Sequence, residues 1–193
     1  MAKIVAKPRT LLVPLPAVMV SCSIEGEKPN IITISWIGIV NSEPPMLSIS
    51  IALNRHSHRI VRESGEFVVN LTSEDNLRET DFCGTYSGRK HDKFAELNLT
   101  PVVGQKVKGP LIGECPINLE CVVRQSHVLG SHEMFVGEIV ATHVEENLLE
   151  NDGRLNIDKL KPLIYCPVAR EYRGKTKPVL SRPDKSSSLG KEK

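Results

Sequence analysis

A polar run near position 55 could do chemistry. It reads Asn54-Arg55-His56-Ser57-His58 and supplies one cation, one hydroxyl and two imidazoles. A short helix over residues 57–64 is predicted to begin within this run, and Gly65 is predicted to end it. The first N–H groups of a helix have no partner inside the helix and carry partial positive charge. The run therefore predicts an anion site in which Arg55, Ser57 and His58 hold a phosphate.

Two half-polar strands are predicted to lead into this site. In the first strand Thr33 and Ser35 alternate with isoleucines, and in the second Ser48 and Ser50 alternate with aliphatic residues. Successive side chains of a strand point to opposite faces, so hydroxyls share one face and aliphatic groups share the other. Each strand is therefore expected to bury one face and to keep the other polar.

The rest of the chain predicts short strands separated by brief helices. Ser73 is a candidate N-cap for a helix over residues 74–83, and Asp92 is a candidate cap for a short helix that carries Lys93. The other predicted strands cover 17–24, 67–71, 117–123, 133–144, 155–157 and 163–165, and residues 84–92 are predicted to form a loop. Many short alternating strands favour a mainly β fold, a closed antiparallel β-barrel with a few short helices, over a βαβ sheet.

Length, charge and motif content limit the domain organisation and the kinds of ligand that the sequence predicts. The 193 residues suit one domain, and residues 170–193 carry eight Lys or Arg against three acids. The prediction is a domain over residues 1–169 followed by a basic, mobile tail over residues 170–193. A short basic tail without interleaved aromatics favours solvation over nucleic-acid binding. The sequence contains neither GxGxxG nor Walker A, so Rossmann and P-loop modes of nucleotide binding have no support.

Cysteine usage and hydropathy bear on the compartment. The five cysteines form no CxxC pair, which favours reduced thiols over disulfides and gives no reason to expect a metal site. No aliphatic run is long enough to span a bilayer, and the N-terminus lacks a signal-peptide pattern, so a cytoplasmic protein that does not enter the membrane is expected. Cys22, Cys83 and Cys121 are interpreted as buried small hydrophobes, with a redox relay through Cys83 as the alternative.

Several separated blocks resemble the flavin reductase-like family, which includes the flavoredoxins. The blocks follow the family's order across residues 10–166. They are Pro29-Asn30-Ile31-Ile32-Thr33-Ile34-Ser35-Trp36, Pro44-Pro45, Ser57-His58, Gly84-Thr85-Tyr86-Ser87-Gly88, Asp92-Lys93-Phe94, and Ser131-His132 through Phe135-Val136-Gly137-Glu138. The resemblance implies an FMN-binding split β-barrel with FMN as its bound cofactor and NAD(P)H as electron donor.

The resemblance also implies which polar residues hold the flavin. A split barrel keeps its cofactor against polar strand faces and the loops at their ends. The implied partners of the flavin ring edge and phosphate are Asn30, Thr33, Ser35, Ser50 and Ser57, with Arg55, His58, Ser87 and Gly88 at the phosphate. For Arg55 the alternative is a solvated loop cation.

Four further residues are implied to border the flavin ring. Trp36 would form a wall beside it. Lys93 would lie near its pyrimidine end, where a cation stabilises negative charge on reduced flavin. His132 would lie beside the nicotinamide, to position the donor or supply a proton. Tyr165 would border the site from the same or the neighbouring subunit. The alternatives are a core position for Trp36, a surface position for Lys93 and a structural role for His132.

The implied function is an FMN-dependent oxidoreductase. It would pass hydride from NAD(P)H to flavin and electrons to free flavin, a ferric complex or a protein. The alternatives are a flavoredoxin-like electron carrier with little NAD(P)H activity, and a barrel without flavin. The third reading draws on residues 169–174, where the family's usual aromatic and Leu-Gly pair are replaced by Ala-Arg-Glu-Tyr-Arg-Gly. A homodimer with flavins near the interface is also expected, because aliphatic residues around 37–40 and 46–47 exceed what one barrel interior needs. The sequence does not distinguish NADH from NADPH and does not name the acceptor.

Overall fold

The fold is an antiparallel β structure with short helices. The structure, a computed structural model, describes residues 1–174. Within that range the strands are β1 (Leu15–Pro16), β2 (Val18–Cys22), β3 (Asn30–Ile34), β4 (Ile37–Ser42), β5 (Pro45–Ala52), β6 (Glu66–Leu71), β7 (Pro101–Val102), β8 (Leu111–Ile112), β9 (Ile117–Leu129), β10 (His132–Val144), β11 (Ile164–Cys166) and β12 (Glu171–Arg173). The α-helices are α1 (His56–Ser64), α2 (Leu77–Thr85), α3 (Lys93–Glu96) and α4 (Ile157–Leu160), and 3-10 turns span Glu74–Asn76 and Glu146–Leu148. The predicted mainly β fold is confirmed.

One seven-stranded sheet forms the barrel. Its strand order is β3-β2-β6-β9-β10-β5-β4, and every neighbouring pair is antiparallel. The two end strands, β3 and β4, are consecutive in the chain and are joined by Ser35 and Trp36 alone. The sheet must therefore curl until its two edges meet. The Ser50 N–H donates to the Trp36 carbonyl at 2.9 Å, which extends the β4–β5 pairing into this link.

The inward faces of the strands build the main core. Leu47, Ile49 and Ile51 of β5 are buried, while Ser48 and Ser50 between them are half-buried, as the alternation predicts. Aliphatic and aromatic residues from β2, β3 and β6, with α1 packed against them, fill the same core. Burial of these apolar side chains is the main source of stability of the barrel.

A second apolar cluster lies outside the barrel under α2 and α3. Met19 and Ile31 come from the outer faces of β2 and β3, and Cys83 and Phe94 come from the two helices. Thr33 shares this outer face, and its hydroxyl donates to the Thr80 carbonyl of α2 at 2.5 Å. Helix α2 is thereby held against the outer face of β3.

The helix boundaries follow the predicted caps in part. Gly65 ends α1 in the left-handed conformation (φ 69°), and its N–H bonds to the Val61 carbonyl at 3.0 Å. Asp92 caps α3 through the Ala95 N–H. Ser73 begins a 3-10 turn through a capping box, and α2 follows it and runs two residues beyond the predicted end, so Gly84 and Thr85 are helical.

Two strand predictions were wrong. The first half-polar strand was predicted to run through Ser35 to Ile37, but β3 ends at Ile34 and Ile37 begins β4, because the chain crosses between the edges of the sheet at Ser35 and Trp36. Residues 155–157 do not form a strand: Leu155 makes one isolated bridge to Leu149, and Ile157 begins α4 after an Asn156 cap.

The C-terminal part of the described chain adds a small sheet of order β1-β11-β12. The predicted end of the domain at residue 169 falls just before β12, which pairs with β11. Residues 175–193 of the predicted tail lie outside the described residues. No helix in residues 1–174 is long and apolar enough to cross a membrane.

Candidate functional site

A cavity at the N-terminus of α1 collects most of the predicted phosphate ligands. We term it the cradle. Its lining residues are Asn30, Ile32, Arg55, His56, Ser57, Cys83, Tyr86, Ser87, Gly88 and Lys93. They come from β3, from the start of α1, from α2 and the segment after it, and from the start of α3. Six of them were predicted to bind the cofactor, namely Asn30, Arg55, Ser57, Ser87, Gly88 and Lys93.

The centre of the cradle is a tight contact among Asn30, Ser57 and Gly88. The Asn30 Nδ2 donates to Ser57 Oγ at 2.7 Å, and both side chains are buried. A Cβ placed on Gly88 would lie 1.9 Å from Asn30 Oδ1, so only glycine fits there without displacing the amide. The Asn30 amide therefore fixes the Ser57 hydroxyl on one side and the loop after α2 on the other.

The N-terminus of α1 opens into the cradle without a side-chain cap. Arg55 occupies the N-cap position in extended conformation, and its side chain makes no capping hydrogen bond. The His58 N–H bonds to the Arg55 carbonyl at 3.2 Å, which leaves the His56 and Ser57 N–H groups directed at the cavity end of the helix. An anion there would take the place of the missing cap.

Lys93 is a buried cation at the floor of the cradle. Its side chain is 3 % exposed, and Nζ donates to the Ile31 carbonyl at 2.6 Å and to the Cys83 carbonyl at 2.9 Å. An ammonium has three protons, so one donor remains for a ligand. Burial lowers the pKa of Lys93, because desolvation disfavours its charged form, and no carboxylate within residues 1–174 pairs with it. The surface alternative for Lys93 is excluded.

His58 lies apart from the cradle. Its Nε2 is 2.7 Å from Glu133 Oε2, and Arg62 donates to the same oxygen at 2.9 Å. The His58 ring also packs against Phe135, with 5.7 Å between ring centroids. Successive residues of a helix differ by about 100° in direction. Ser57 therefore faces the cradle while His58 faces β10, and the structure corrects the predicted placement of His58 at the phosphate.

Thr33 also points away from the cradle. The hydrogen bond to Thr80 turns its hydroxyl toward α2. The Cβ of Thr33 lies 3.2 Å from where a Cβ on Gly84 would stand, so the two elements are in close contact. The structure thus gives Thr33 a packing role between β3 and α2 in place of the predicted ligand position.

Trp36 and His132 form a second group at the end of β5 and β10. Their ring centroids are 4.3 Å apart with an interplanar angle of 34°, and Trp36 is 42 % exposed. Ser131 Oγ lies 2.9 Å from His132 Nδ1. The Ser50 backbone bond to Trp36 ties this group to β5, and Ser35 lies half-buried one residue earlier. The core alternative for Trp36 is therefore excluded, because a core side chain would not be so exposed.

Tyr165 lies in the small sheet and not in the lining of the cradle. Its ring packs on Tyr172 of β12 with 5.0 Å between centroids. Burial, with Asp81 nearby, raises the pKa of Tyr172 to about 12. The segment that departs from the family pattern thus forms β12 and brings an aromatic residue against Tyr165 and α2.

Four residues of the cradle were missed by sequence reasoning, and one of them, Ile32, is an apolar residue of β3. The other three, His56, Cys83 and Tyr86, line the cradle beside the predicted ligands. Burial raises the pKa of the Cys83 thiol to about 12, which keeps it protonated and agrees with its interpretation as a buried hydrophobe. His56 lies between Arg55 and Ser57 in the polar run at the start of α1, so its position in the sequence could have identified it as a residue of the site.

The chain belongs to the flavin reductase-like family. The family model described as "Flavin reductase like domain" matches residues 10–175. An uncharacterised protein of Archaeoglobus fulgidus is 39% identical over 132 residues, covering 68% of this chain and 73% of the relative. The predicted family is confirmed.

Two solved structures show the same architecture. The flavoredoxin of Desulfovibrio vulgaris (Miyazaki F) superposes with a TM-score of 0.88 at 34% identity, covering 96% of this chain and 99% of that one. A flavoredoxin from Methanosarcina acetivorans has a TM-score of 0.84 at 28% identity, covering 93% and 95%. The predicted split-barrel fold of the flavin reductase-like family is confirmed.

Proposed function

We propose that this chain is an oxidoreductase that binds FMN, accepts hydride from NAD(P)H on that flavin and passes electrons to an acceptor. The acceptor would be free flavin, a ferric complex or another protein. The observation that carries the proposal is the cradle, in which an uncapped helix N-terminus, an oriented hydroxyl and two cations converge. When bound, flavin supplies the hydride and electron chemistry.

The cradle suits the phosphate of FMN. Ser57 can donate its hydroxyl to a phosphate oxygen, since that hydroxyl already accepts from Asn30. Arg55 makes no ion pair within residues 1–174, so its guanidinium is available for a bidentate contact. Each charge at the helix N-terminus would contribute about 0.3–1 kcal/mol. Lys93 would gain from the anion the counter-charge that its buried site lacks.

The flavin ring would lie against the polar face of β5, between the cradle and Trp36. Trp36 is exposed enough to offer a ring face or edge to a planar ligand. His132 stacks on it, and with Nδ1 beside the Ser131 hydroxyl its Nε2 can donate to or accept from a bound nicotinamide. Trp36 and His132 would thus position the donor and shield it from water. Tyr165 and Ser35 are proposed as outer contacts of the same site.

A second candidate function is an FMN electron carrier with little NAD(P)H activity. The observation in its favour is the similarity to two flavoredoxins over nearly the whole of each chain. The same cradle serves both functions. They differ in whether Trp36 and His132 hold a nicotinamide.

One anaerobic titration tests both candidates. The purified protein is expected to be yellow, and NADH or NADPH is expected to bleach the flavin absorbance at a rate that saturates with donor concentration. A yellow protein that only dithionite bleaches would favour the carrier. A colourless protein that does not retain added FMN would refute both and favour the barrel without flavin. Heat release and chromatography of the cofactor should give FMN, and a pure FAD peak would contradict that part of the proposal.

A homodimer is part of the proposal. Strand β4 lies at one end of the seven-stranded order and exposes Ile39 (71 %) and Val40 (50 %), and Val128 and Leu129 are exposed at the β9–β10 turn. A second copy of the chain would cover these apolar side chains together with Trp36. The flavins would then lie near the interface.

We also propose a cytoplasmic location. The five cysteines are free, and four of them are buried. Reduced thiols are typical of reducing compartments. A fusion to a fluorescent protein in the source cell would test this.

A further inference from the structure

A second depression lies directly outside the cradle. We term it the outer groove. It is open to solvent, has a cavity volume of about 490 Å³ and shares Asn30, His56 and Gly88 with the cradle. Its outer walls are charged residues: Glu27 and Lys28 from the β2–β3 turn, and Arg89, Lys90, His91 and Asp92 from the loop after α2. The proposed contacts of FMN make no use of these walls.

The carboxylates of the outer groove are already neutralised. Asp92 accepts from Lys28 Nζ at 2.7 Å and also caps α3. Glu27 accepts from Arg59 at 2.5 Å. By contrast, Arg89 and Lys90 are exposed and make no ion pair within the described part of the chain. The groove therefore presents two unpaired cations beside the phosphate site.

The loop that carries these cations has a fixed shape. The N–H groups of Lys90 and His91 both donate to the Ser87 carbonyl, at 3.0 and 3.2 Å. The His91 ring packs against Tyr86 with 5.1 Å between centroids, and Gly88 is pressed against Asn30. Arg89 and Lys90 thus stand on a pre-organised turn, which lowers the entropy cost of binding a ligand there.

We propose that the outer groove binds the adenosine diphosphate group of a dinucleotide. The proposal rests on FMN, or the FMN half of a larger flavin, placing its phosphate in the cradle. Two adjoining anion sites separated by Gly88 suit phosphates that lie side by side. Arg89 would hold phosphate oxygens with its planar fork and Lys90 would add a point charge. FAD and NAD(P)H both carry this group, so the chemistry is shared and the carrier is decided by experiment.

The first test is calorimetric titration of the FMN-loaded protein with ADP and with 2′,5′-ADP at low salt. We expect binding that weakens at least tenfold in the double variant Arg89→Ala/Lys90→Ala. The matched control is Arg78→Ala/Lys106→Ala, which removes two exposed cations that do not line the groove. The control should bind within about twofold of the unchanged protein. Stronger binding of 2′,5′-ADP than of ADP would assign the groove to NADPH.

The second test uses flavin-stripped full-length protein, titrated with FMN and with FAD by fluorescence. If FAD is the carrier, Arg89→Ala/Lys90→Ala should weaken FAD binding about tenfold and leave FMN binding unchanged. The proposal would be overturned if ADP binding were undetectable at millimolar concentration and the unchanged protein and the double variant bound FAD equally well. It would also be overturned if Arg78→Ala/Lys106→Ala lost as much affinity as Arg89→Ala/Lys90→Ala. If the protein binds no flavin but binds ADP in a manner that depends on Arg89, the proposed function is refuted while the proposed ADP site in the outer groove is supported.

Discussion

Replacing Gly88 by alanine should disrupt the contact at the centre of the cradle, and should thereby lower both the stability of the protein and its affinity for FMN. The new Cβ would lie 1.9 Å from Asn30 Oδ1 and 2.5 Å from its Cγ, well inside van der Waals contact. Asn30 is buried, so its amide can avoid the new Cβ only by rearranging inside the packed site. The amide must therefore turn away from Ser57, which breaks the 2.7 Å Asn30–Ser57 bond, or the loop must move outward, which removes one wall of the cradle.

The size of the effect follows from that lost contact. A net hydrogen bond contributes about 0.5–1.5 kcal/mol, and a buried polar group left unpaired costs about 1–3 kcal/mol. We expect a loss of unfolding free energy of about 1–3 kcal/mol, which lowers the Tm by about 2–4 °C per kcal/mol in a chain of this size. A similar loss on the binding side would raise the FMN Kd about 5- to 150-fold.

A double-mutant cycle isolates the cause. The assay is FMN fluorescence quenching together with urea unfolding of Gly88→Ala, Asn30→Ala and the double variant. If the amide is the clashing group, Gly88→Ala should cost little further stability once Asn30 is alanine. Gly109→Ala is the control, since its Cβ would meet its nearest atom at 3.6 Å. Equal costs of Gly88→Ala in both backgrounds, or unchanged FMN binding in the single variant, would refute the reasoning.

Three further predictions concern the two ends of the site and its assembly. Ser57→Ala/Arg55→Ala should weaken FMN retention with an unchanged circular dichroism spectrum; full FMN occupancy would show that the phosphate binds elsewhere. Glu133→Gln should lower the unfolding free energy at pH 7 by about 1–3 kcal/mol in urea unfolding, because a buried carboxylate with two basic partners is lost. Burial opposes ionisation of Glu133, but hydrogen bonds from Ser126 and His58 and the charge of Arg62 outweigh it and hold its pKa below the ordinary value of 4.5. The stabilisation by the Glu133 carboxylate is therefore present above pH 4.5 and is lost as the pH falls further. The unfolding free energy of the variant should fall less between pH 6 and 3 than that of the unchanged protein, and parallel curves of unfolding free energy against pH would contradict this. Light scattering of the holoprotein should give twice the mass of one chain, and a monomer that retains FMN would overturn the dimer.

Local signals predicted most of the fold. Alternation in β5, the glycine that ends α1 and the Asp92 cap each depend on neighbouring residues, and each was read correctly. The break between β3 and β4 was missed, because it arises where the barrel closes and not from any local breaker. Ile157 was misassigned for a different reason: α4 has four residues, which are too few for a helical period to show in the sequence.

In the candidate site, too, the sequence predicted individual residues but not the long-range contacts between them. Asn30, Ser57 and Gly88 were named from motif blocks, but their mutual contact is long-range and no spacing predicts it. Lys93 can be buried because it donates to the carbonyls of Ile31 and Cys83, which belong to two separate elements. The pattern of polar and apolar residues along the sequence does not predict such long-range hydrogen bonds.

The placement of His58 shows how the two halves of the site are coupled. Ser57 and His58 are neighbours on α1, and one faces the cradle while the other is bound to Glu133 of β10. Glu133 follows His132 on that strand, so the same contact joins the helix that carries the proposed phosphate ligands to the strand on which His132 packs against Trp36. A shift of α1 along this contact would move Ser57 relative to His132. His58 and Glu133 are buried, while Arg62 reaches the same carboxylate from the surface. We expect this cluster to fix the distance between the proposed phosphate end and the proposed ring end of the site, because a flavin that spans both ends would require that distance to be constant.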